Sequence, residues 1–338
     1  MVKSSYNSID VFKFLAAIMV VAIHTNPFFD YPVFNFIITS LCRIAVPFFF
    51  VFSSFIFFKT KNEKGKNIID FLKRIVILYC FWFVVELPII IDRFFIQSDY
   101  SFLIKICLLM RGVFINNTFC ASWYLTALCE GMLVVDYVSR RYGNKAIIFI
   151  SIAFSIFALS GTLINPIVSS LFNLKGYNMI LAILIPWNSF FVAVPFCYIG
   201  KWLAEKILSI EQKKYVYKPL FLCSIILFVC EIGFGLYVRK YSDVVNTDTM
   251  ISLFLLAPLV VILLIEHNIS IKASIASYCR KTSILIYLTH GIWKYVLLKF
   301  MLIERGMLGF CMVLILSILT SLLIIYFSSK CKMLKYSY

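Results

Sequence analysis

Asp10-Val-Phe-Lys13-Phe-Leu-Ala-Ala-Ile-Met-Val-Val-Ala-Ile-His24 carries two ionisable side chains within one apolar run. At about 100° per residue, the eleven steps from Lys13 to His24 come to about 1100°, which is some 20° past three full turns. Both side chains therefore share one helical face, about 16.5 Å apart along the axis. A lone lysine near a helix end snorkels to headgroups, and a lone histidine serves as an interfacial hydrogen-bonder. Two such groups on one face point to a lined site inside a helical bundle.

The rest of the chain makes lipid the solvent of that bundle. Of 338 residues, 62% are hydrophobic and 14% charged, more apolar surface than a soluble domain of this length buries. Lipid admits only helices or closed barrels, and long apolar runs without alternation select helices. Lys3 followed by an apolar stretch imitates a signal peptide. No A-x-A-like cleavage site follows and many more apolar segments do, so residues 1–27 read as the first span. The eleven cysteines form no C-x-x-C pair, and most fall inside apolar runs, where cysteine behaves as a small hydrophobe. No metal site is expected from them.

Hydropathy places apolar segments at roughly 9–27, 33–58, 70–91, 119–138, 145–164, 187–208, 219–238, 249–266, 282–302 and 307–328. The expectation is an all-α, polytopic transmembrane bundle of about ten spans forming a single domain over 1–338. The stretch 99–116 reads as a short re-entrant or interfacial helix. Alternate loops concentrate the basic residues: Lys59 to Arg74, then Arg140, Arg141 and Lys145, then Lys201 to Lys218, then Lys272, Arg280 and Lys281. By the positive-inside rule this predicts both termini in the cytoplasm. The formal charge of +16 is thereby explained as topology plus attraction to anionic lipid, and a nucleic-acid partner is excluded.

Further ionisable residues fall within predicted spans. Arg43 lies about nine residues into the second, where insertion costs about 2.5 to 3.5 kcal/mol, so it must face the interior and find an anion. Glu86, Glu130 or a ligand phosphate could each serve. Glu86, Glu130 and Glu231 have a structural role open to them, neutralising Arg43 or Lys13. Glu130 is the site candidate among them, because its span also bears Trp123. His290 sits within the ninth span, where both a structural and a functional role are open. His267, in a polar loop, reads as solvated.

Asp10-x-x-Lys13-x10-His24 followed by Arg43-x-x-Val-Pro-Phe-Phe-Phe-x-x-Ser53 resembles the opening of the integral-membrane acyltransferase family known as acyltransferase type 3. Trp123-Tyr124-Leu125, Pro195-Phe196-Cys197-Tyr198-Ile199-Gly200 and Tyr287-Leu288-Thr289-His290 continue the resemblance along nearly the whole chain. Three positions depart from the family pattern. Lysine stands at 13 in place of arginine, Ser53-Ser54 replaces Ser-Gly, and Cys120-Ala121-Ser122 precedes Trp123 without the family's histidine.

The resemblance implies an O-acyltransferase of a bacterial plasma membrane, moving an acyl group from acetyl-CoA or a similar acyl-CoA to a cell-surface glycan or lipid-linked sugar. Together with the reading of the residues themselves, it leads to His24, Arg43, Glu130 and His290 as the expected catalytic residues and Lys13, Arg43 and Ser53 as the expected donor-binding ones. Lys13 and the basic loop 59–74 would meet the nucleotide phosphates, His24 would act as general base, and Arg43 or His290 would stabilise the oxyanion. Acceptor specificity would sit in outer loops 92–118, 165–186 and 239–249. Other members resemble the membrane part of vancomycin-resistance serine racemases, associated with serine import, or proteins associated with glycan export. A transporter of a small polar substrate is therefore the alternative.

Overall fold

The computed structural model describes residues 6–98, 100–114, 123–160, 162, 188–211, 214–240, 245–303 and 305–338. Among them there are helices and no strand: α1 (Asn7–Thr25), α2 (Pro32–Cys42), α3 (Ala45–Lys64), α4 (Ile68–Ile91), α5 (Phe102–Phe114), α6 (Trp123–Ser160), α7 (Asn188–Glu211), α8 (Lys214–Val238), α9 (Ile251–Glu266), α10 (Ala273–Met301) and α11 (Gly306–Phe327). Seven helical stretches among the described residues are long and apolar enough to cross a membrane. The 38-residue α6 holds both the fourth and fifth predicted spans, with a bend at Gly143, whose φ of 83° suits a residue without a Cβ. With 16 residues, α9 is shorter than the roughly 20 that a spanning helix needs. The stretch expected to be re-entrant or interfacial forms the short α5. Cys120-Ala121-Ser122 and the loop 165–186 lie outside the described residues, as do parts of the other two outer loops.

The predicted second span is broken rather than continuous. Pro47 lacks the N–H that would bond the Arg43 carbonyl, so the helix ends at Cys42 and restarts at Ala45, leaving Pro47 in the first turn of α3 where no intrahelical donor is needed. Arg43 occupies the turn between the two pieces, its N–H donating to the Ser40 carbonyl at 3.1 Å.

The chain divides into two compact units, one of residues 1–35, 72–126 and 268–338, the other of 36–71 and 127–267. In the first, α1 packs against α10 and α11. Ala17 and Val21 of α1, Ile286 and Leu297 of α10 and Val313 of α11 form its buried apolar cluster. Small residues at the contact allow close helix approach, which is how membrane helices associate when lipid removes the hydrophobic drive. The register of α1 on α10 is pinned where both begin. Asn7 Nδ2 donates to the Ile269 carbonyl at 3.1 Å, the Ser8 N–H to Asn268 Oδ1 at 3.1 Å, and the Ile269 N–H to Ser8 Oγ at 2.8 Å. The two helices consequently run parallel.

In the second unit, α3 packs on α7, and α9 lies against α3, α7 and α8. A Cβ added at Gly200 of α7 would stand 1.9 Å from Ser54 Oγ and 2.3 Å from the Val51 carbonyl oxygen of α3. Only glycine permits that approach. Ser54 is fully buried there, donating to the Phe50 and Val51 carbonyls at 2.9 and 3.1 Å. Phe196 of α7 stacks on Phe254 of α9 at 4.6 Å between ring centroids.

Candidate active site

Parallel α1 and α10 each carry a cation near the start and a histidine further along. At the first level, Asp10 pairs with two cations: Lys13 Nζ lies 3.6 Å from one carboxylate oxygen, and Arg280 donates to the other at 3.2 Å. Asp10 is buried, the Lys13 side chain is 17% exposed, and that of Arg280 is 50% exposed. Two positive charges on one carboxylate leave an excess of one at this mouth, and the more exposed Arg280 presents it to solvent.

Along the same helices, the His24 and His290 rings approach to 5.1 Å between centroids at an interplanar angle of 35°. His290 is buried. Its Nδ1 lies 2.7 Å from the Tyr287 carbonyl oxygen and 3.3 Å from that of Ile286. A carbonyl only accepts, so Nδ1 carries the proton and Nε2 carries the lone pair. Nε2 has no hydrogen-bond partner among the described residues. The helix itself thus sets the tautomer and leaves the basic nitrogen uncommitted among the described residues.

Tyr287 extends the constellation. Its hydroxyl accepts from the Tyr124 N–H at 3.2 Å, satisfying a first-turn donor that α6 leaves without an intrahelical partner. The two tyrosine rings meet edge to face at 5.7 Å, and Tyr287 lies 6.0 Å from the His290 ring. Trp123-Tyr124-Leu125 and Tyr287-Leu288-Thr289-His290, motifs 163 residues apart, therefore meet at one hydrogen bond. Beyond the histidines, Asp92 accepts from Lys299 Nζ at 2.6 Å and from the Tyr295 hydroxyl. The Lys299 ammonium, and after it the Tyr295 hydroxyl, hold the Asp92 carboxyl below the usual carboxylate range. This latch ties the end of α4 to the end of α10.

Arg43, Ser53, Glu130 and Glu231 belong to the second unit. Arg43 finds an anion in Asp248, at 2.5 Å, and among the described residues pairs with neither Glu86 nor Glu130. Its Nε is buried with no hydrogen-bond partner among the described residues. Ser53 of α3 and Glu130 of α6 are half-buried. Glu231 neutralises no cation here; its carboxylate accepts the Ile251 and Ser252 N–H groups at 2.8 Å each and caps α9. Glu86 is buried within α4 of the first unit. His24, His290 and Lys13 thus share one unit, whereas Arg43, Ser53 and Glu130 share the other.

Asp10, Arg280 and Tyr287 went unassigned as site residues in the sequence. Arg280 stands ten residues before His290 much as Lys13 stands eleven before His24, a second cation-histidine spacing that could have marked it. Tyr287 gave no such sign, since a tyrosine in an apolar run reads as packing.

Comparison with known proteins bears on what this arrangement serves. The model of an acyltransferase domain family matches residues 6–326. An amino-acid racemase of Enterococcus faecalis is 29% identical over 217 residues, covering 63% of this chain and 30% of that protein. A second amino-acid racemase of the same organism is 25% identical, covering 89% and 46%. A serine/alanine racemase of Enterococcus gallinarum is 24% identical, covering 85% and 38%. The chain thus spans less than half the length of these curated relatives. No solved structure matches. From Tyr6 to Tyr326, through both units and every motif that α1, α3, α6, α7 and α10 carry, this multi-pass membrane protein belongs to the acyltransferase type 3 family.

Proposed function

We propose that this membrane acyltransferase is an O-acyltransferase of the bacterial cell membrane, moving an acyl group, acetyl in the simplest case, from acyl-CoA to a hydroxyl of an envelope polysaccharide or its lipid-linked precursor. The observation that carries the reading is the His24–His290 pair, with Nδ1 of His290 committed to its own helix and Nε2 left with its lone pair.

An imidazole lone pair takes the proton from the acceptor hydroxyl as its oxygen bonds to the thioester carbonyl carbon. His290, whose N–H is held by its own helix, serves here as the base rather than as the oxyanion donor. The tetrahedral oxyanion is met by an N–H of His24, and one well-placed donor contributes about 3 to 4 kcal/mol in a water-poor site. The carbon–sulfur bond then breaks, the imidazolium returns its proton to the departing thiolate, and free CoA and an ester remain. Lys13 and Arg280 supply the positive mouth for the donor's phosphates, and Asp10 holds both in place. For Arg43 and Ser53, donor-binding or catalytic roles rest on the motif that resembles the family's, and for Glu130 on its place in the span that bears Trp123.

Reconstituted protein should release CoA from acetyl-CoA only when acceptor glycan is added, and His24→Ala should abolish that release. His24→Ala turning over at the parent rate removes the central residue. The similarity to serine/alanine and amino-acid racemases supports a second reading, a transporter handling a serine-like solute. In that case vesicles would accumulate labelled serine and consume no thioester.

A further inference from the structure

A cavity of about 310 Å³ lies in the second unit, between the end of α6, the C-terminal half of α8 and the start of α9. That volume is at the lower bound of ligand pockets, which begin near about 300 Å³. Leu159, Phe234 and Ile251 give it an apolar side, and Thr162, Glu231 and Thr249 gather at it as polar groups. Phe234 and Ile251 are 41% and 48% exposed, on helices whose outward faces meet hydrocarbon in a membrane.

The polar groups differ in what they leave unsatisfied. The Thr162 hydroxyl donates to the Leu159 carbonyl at 2.7 Å. Glu231 accepts from Ile251, Ser252 and the Ser252 hydroxyl. Thr249 is 1% exposed, and its hydroxyl has no hydrogen-bond partner among the described residues. A buried hydroxyl without a partner is destabilising, and an oxygen or nitrogen of a bound molecule would satisfy this one. A plain hydrocarbon chain cannot provide it. Among the described residues lining the cavity Glu231 is the one that carries a charge, and a carboxylate repels a phosphate or carboxylate head.

We infer that this cavity binds a neutral, hydroxyl-bearing single-chain amphiphile, its chain along Leu159, Phe234 and Ile251 and its hydroxyl on Thr249. The site is read from binding alone and does not depend on acyl transfer. Failure of acyl transfer leaves it standing, and its own failure leaves the histidine pair untouched.

Three diazirine-tagged probes of one chain length, ending in a hydroxyl, a carboxylate or a methyl group, test it on the full chain in phosphatidylcholine vesicles. After photolysis, mass spectrometry maps the adducts. The hydroxyl probe should label the peptides holding Leu159, Phe234 and Ile251 about five-fold more than either other probe, the scale of one hydrogen bond. Thr249→Val, near-isosteric and able to keep the fold, should level the hydroxyl and methyl probes. Leu159→Trp should fill the space and remove all three signals. Equal labelling by the three probes, preference for the carboxylate, or adducts spread evenly over the exposed face of α11 would overturn the inference.

Discussion

The two units use their polar groups differently. In the second, the charged groups mostly pair with one another or with a helix end: Arg43 with Asp248, Lys61 and Arg140 with Asp136, Lys201 with Glu205, and Glu231 with the start of α9. In the first, the helix carbonyls fix the His290 ring but leave Nε2 with its lone pair, and Asp10 holds more positive charge than it neutralises. Membrane interiors make an unmatched polar group costly, so structural pairs are closed and sites are left incomplete. The contrast teaches where to look for chemistry in such a bundle: at polar groups held firmly on one side and open on the other.

The largest effect that could break this contrast is on turnover. His24→Ala and His290→Ala should each lower acceptor-dependent CoA release by about 10² to 10⁴-fold, the range for loss of a general base. If the rings act as a unit, the double variant should be no slower than the worse single one. Additive losses would mean that the two imidazoles serve separate steps.

In the second unit, the matching test concerns stability rather than rate. Gly200→Ala places a methyl group against the Val51 carbonyl and Ser54 Oγ, and overpacking of that kind costs about 1 to 3 kcal/mol. Ser54→Gly should restore part of the loss, because the Val51 carbonyl remains in the way at 2.3 Å. Thermal unfolding in detergent reads both variants. No change in Gly200→Ala would mean that α3 and α7 separate more easily than their contact implies.

Tyr287→Phe comes next. Removing the hydroxyl leaves the Tyr124 N–H without its acceptor, a loss of about 1 kcal/mol. The ring and its edge-to-face contact with Tyr124 are retained. The melting temperature should therefore fall modestly while His290, whose own bonds run to backbone carbonyls, keeps its tautomer and much of its activity. A fall in turnover as deep as that of His290→Ala would promote Tyr287 from a positioning residue to a catalytic one.

What the sequence discloses follows from what local pattern can encode. Lys13 and His24 were legible because helical periodicity is local and their spacing places them on one stripe, and the apolar runs were legible because lipid demands them. The break at Arg43 was signalled by Pro47, yet the continuous hydropathy of 33–58 concealed it. The partner of Arg43 was out of reach, since Asp248 lies 205 positions away in a polar loop and nothing local links the two. Gly200 gave only a weak motif. Its meaning depends on Ser54 and Val51 of another helix, and a contact between helices leaves no periodic trace.

The smallest effect concerns that unforeseen pair. The Arg43 side chain is 27% exposed and that of Asp248 44%, so screening limits their ion pair to about 0.2 to 1 kcal/mol. Asp248→Asn should barely move the melting temperature. It also leaves the guanidinium with one anion fewer, and Arg43 Nε already has no hydrogen-bond partner among the described residues. If Arg43 binds the acyl donor, Asp248 competes with it, and Asp248→Asn should lower KM for acetyl-CoA by up to about five-fold without raising kcat, the equivalent of the pair's energy. If Arg43 is purely structural, KM stays where it was, and the second unit is as closed as its ion pairs make it.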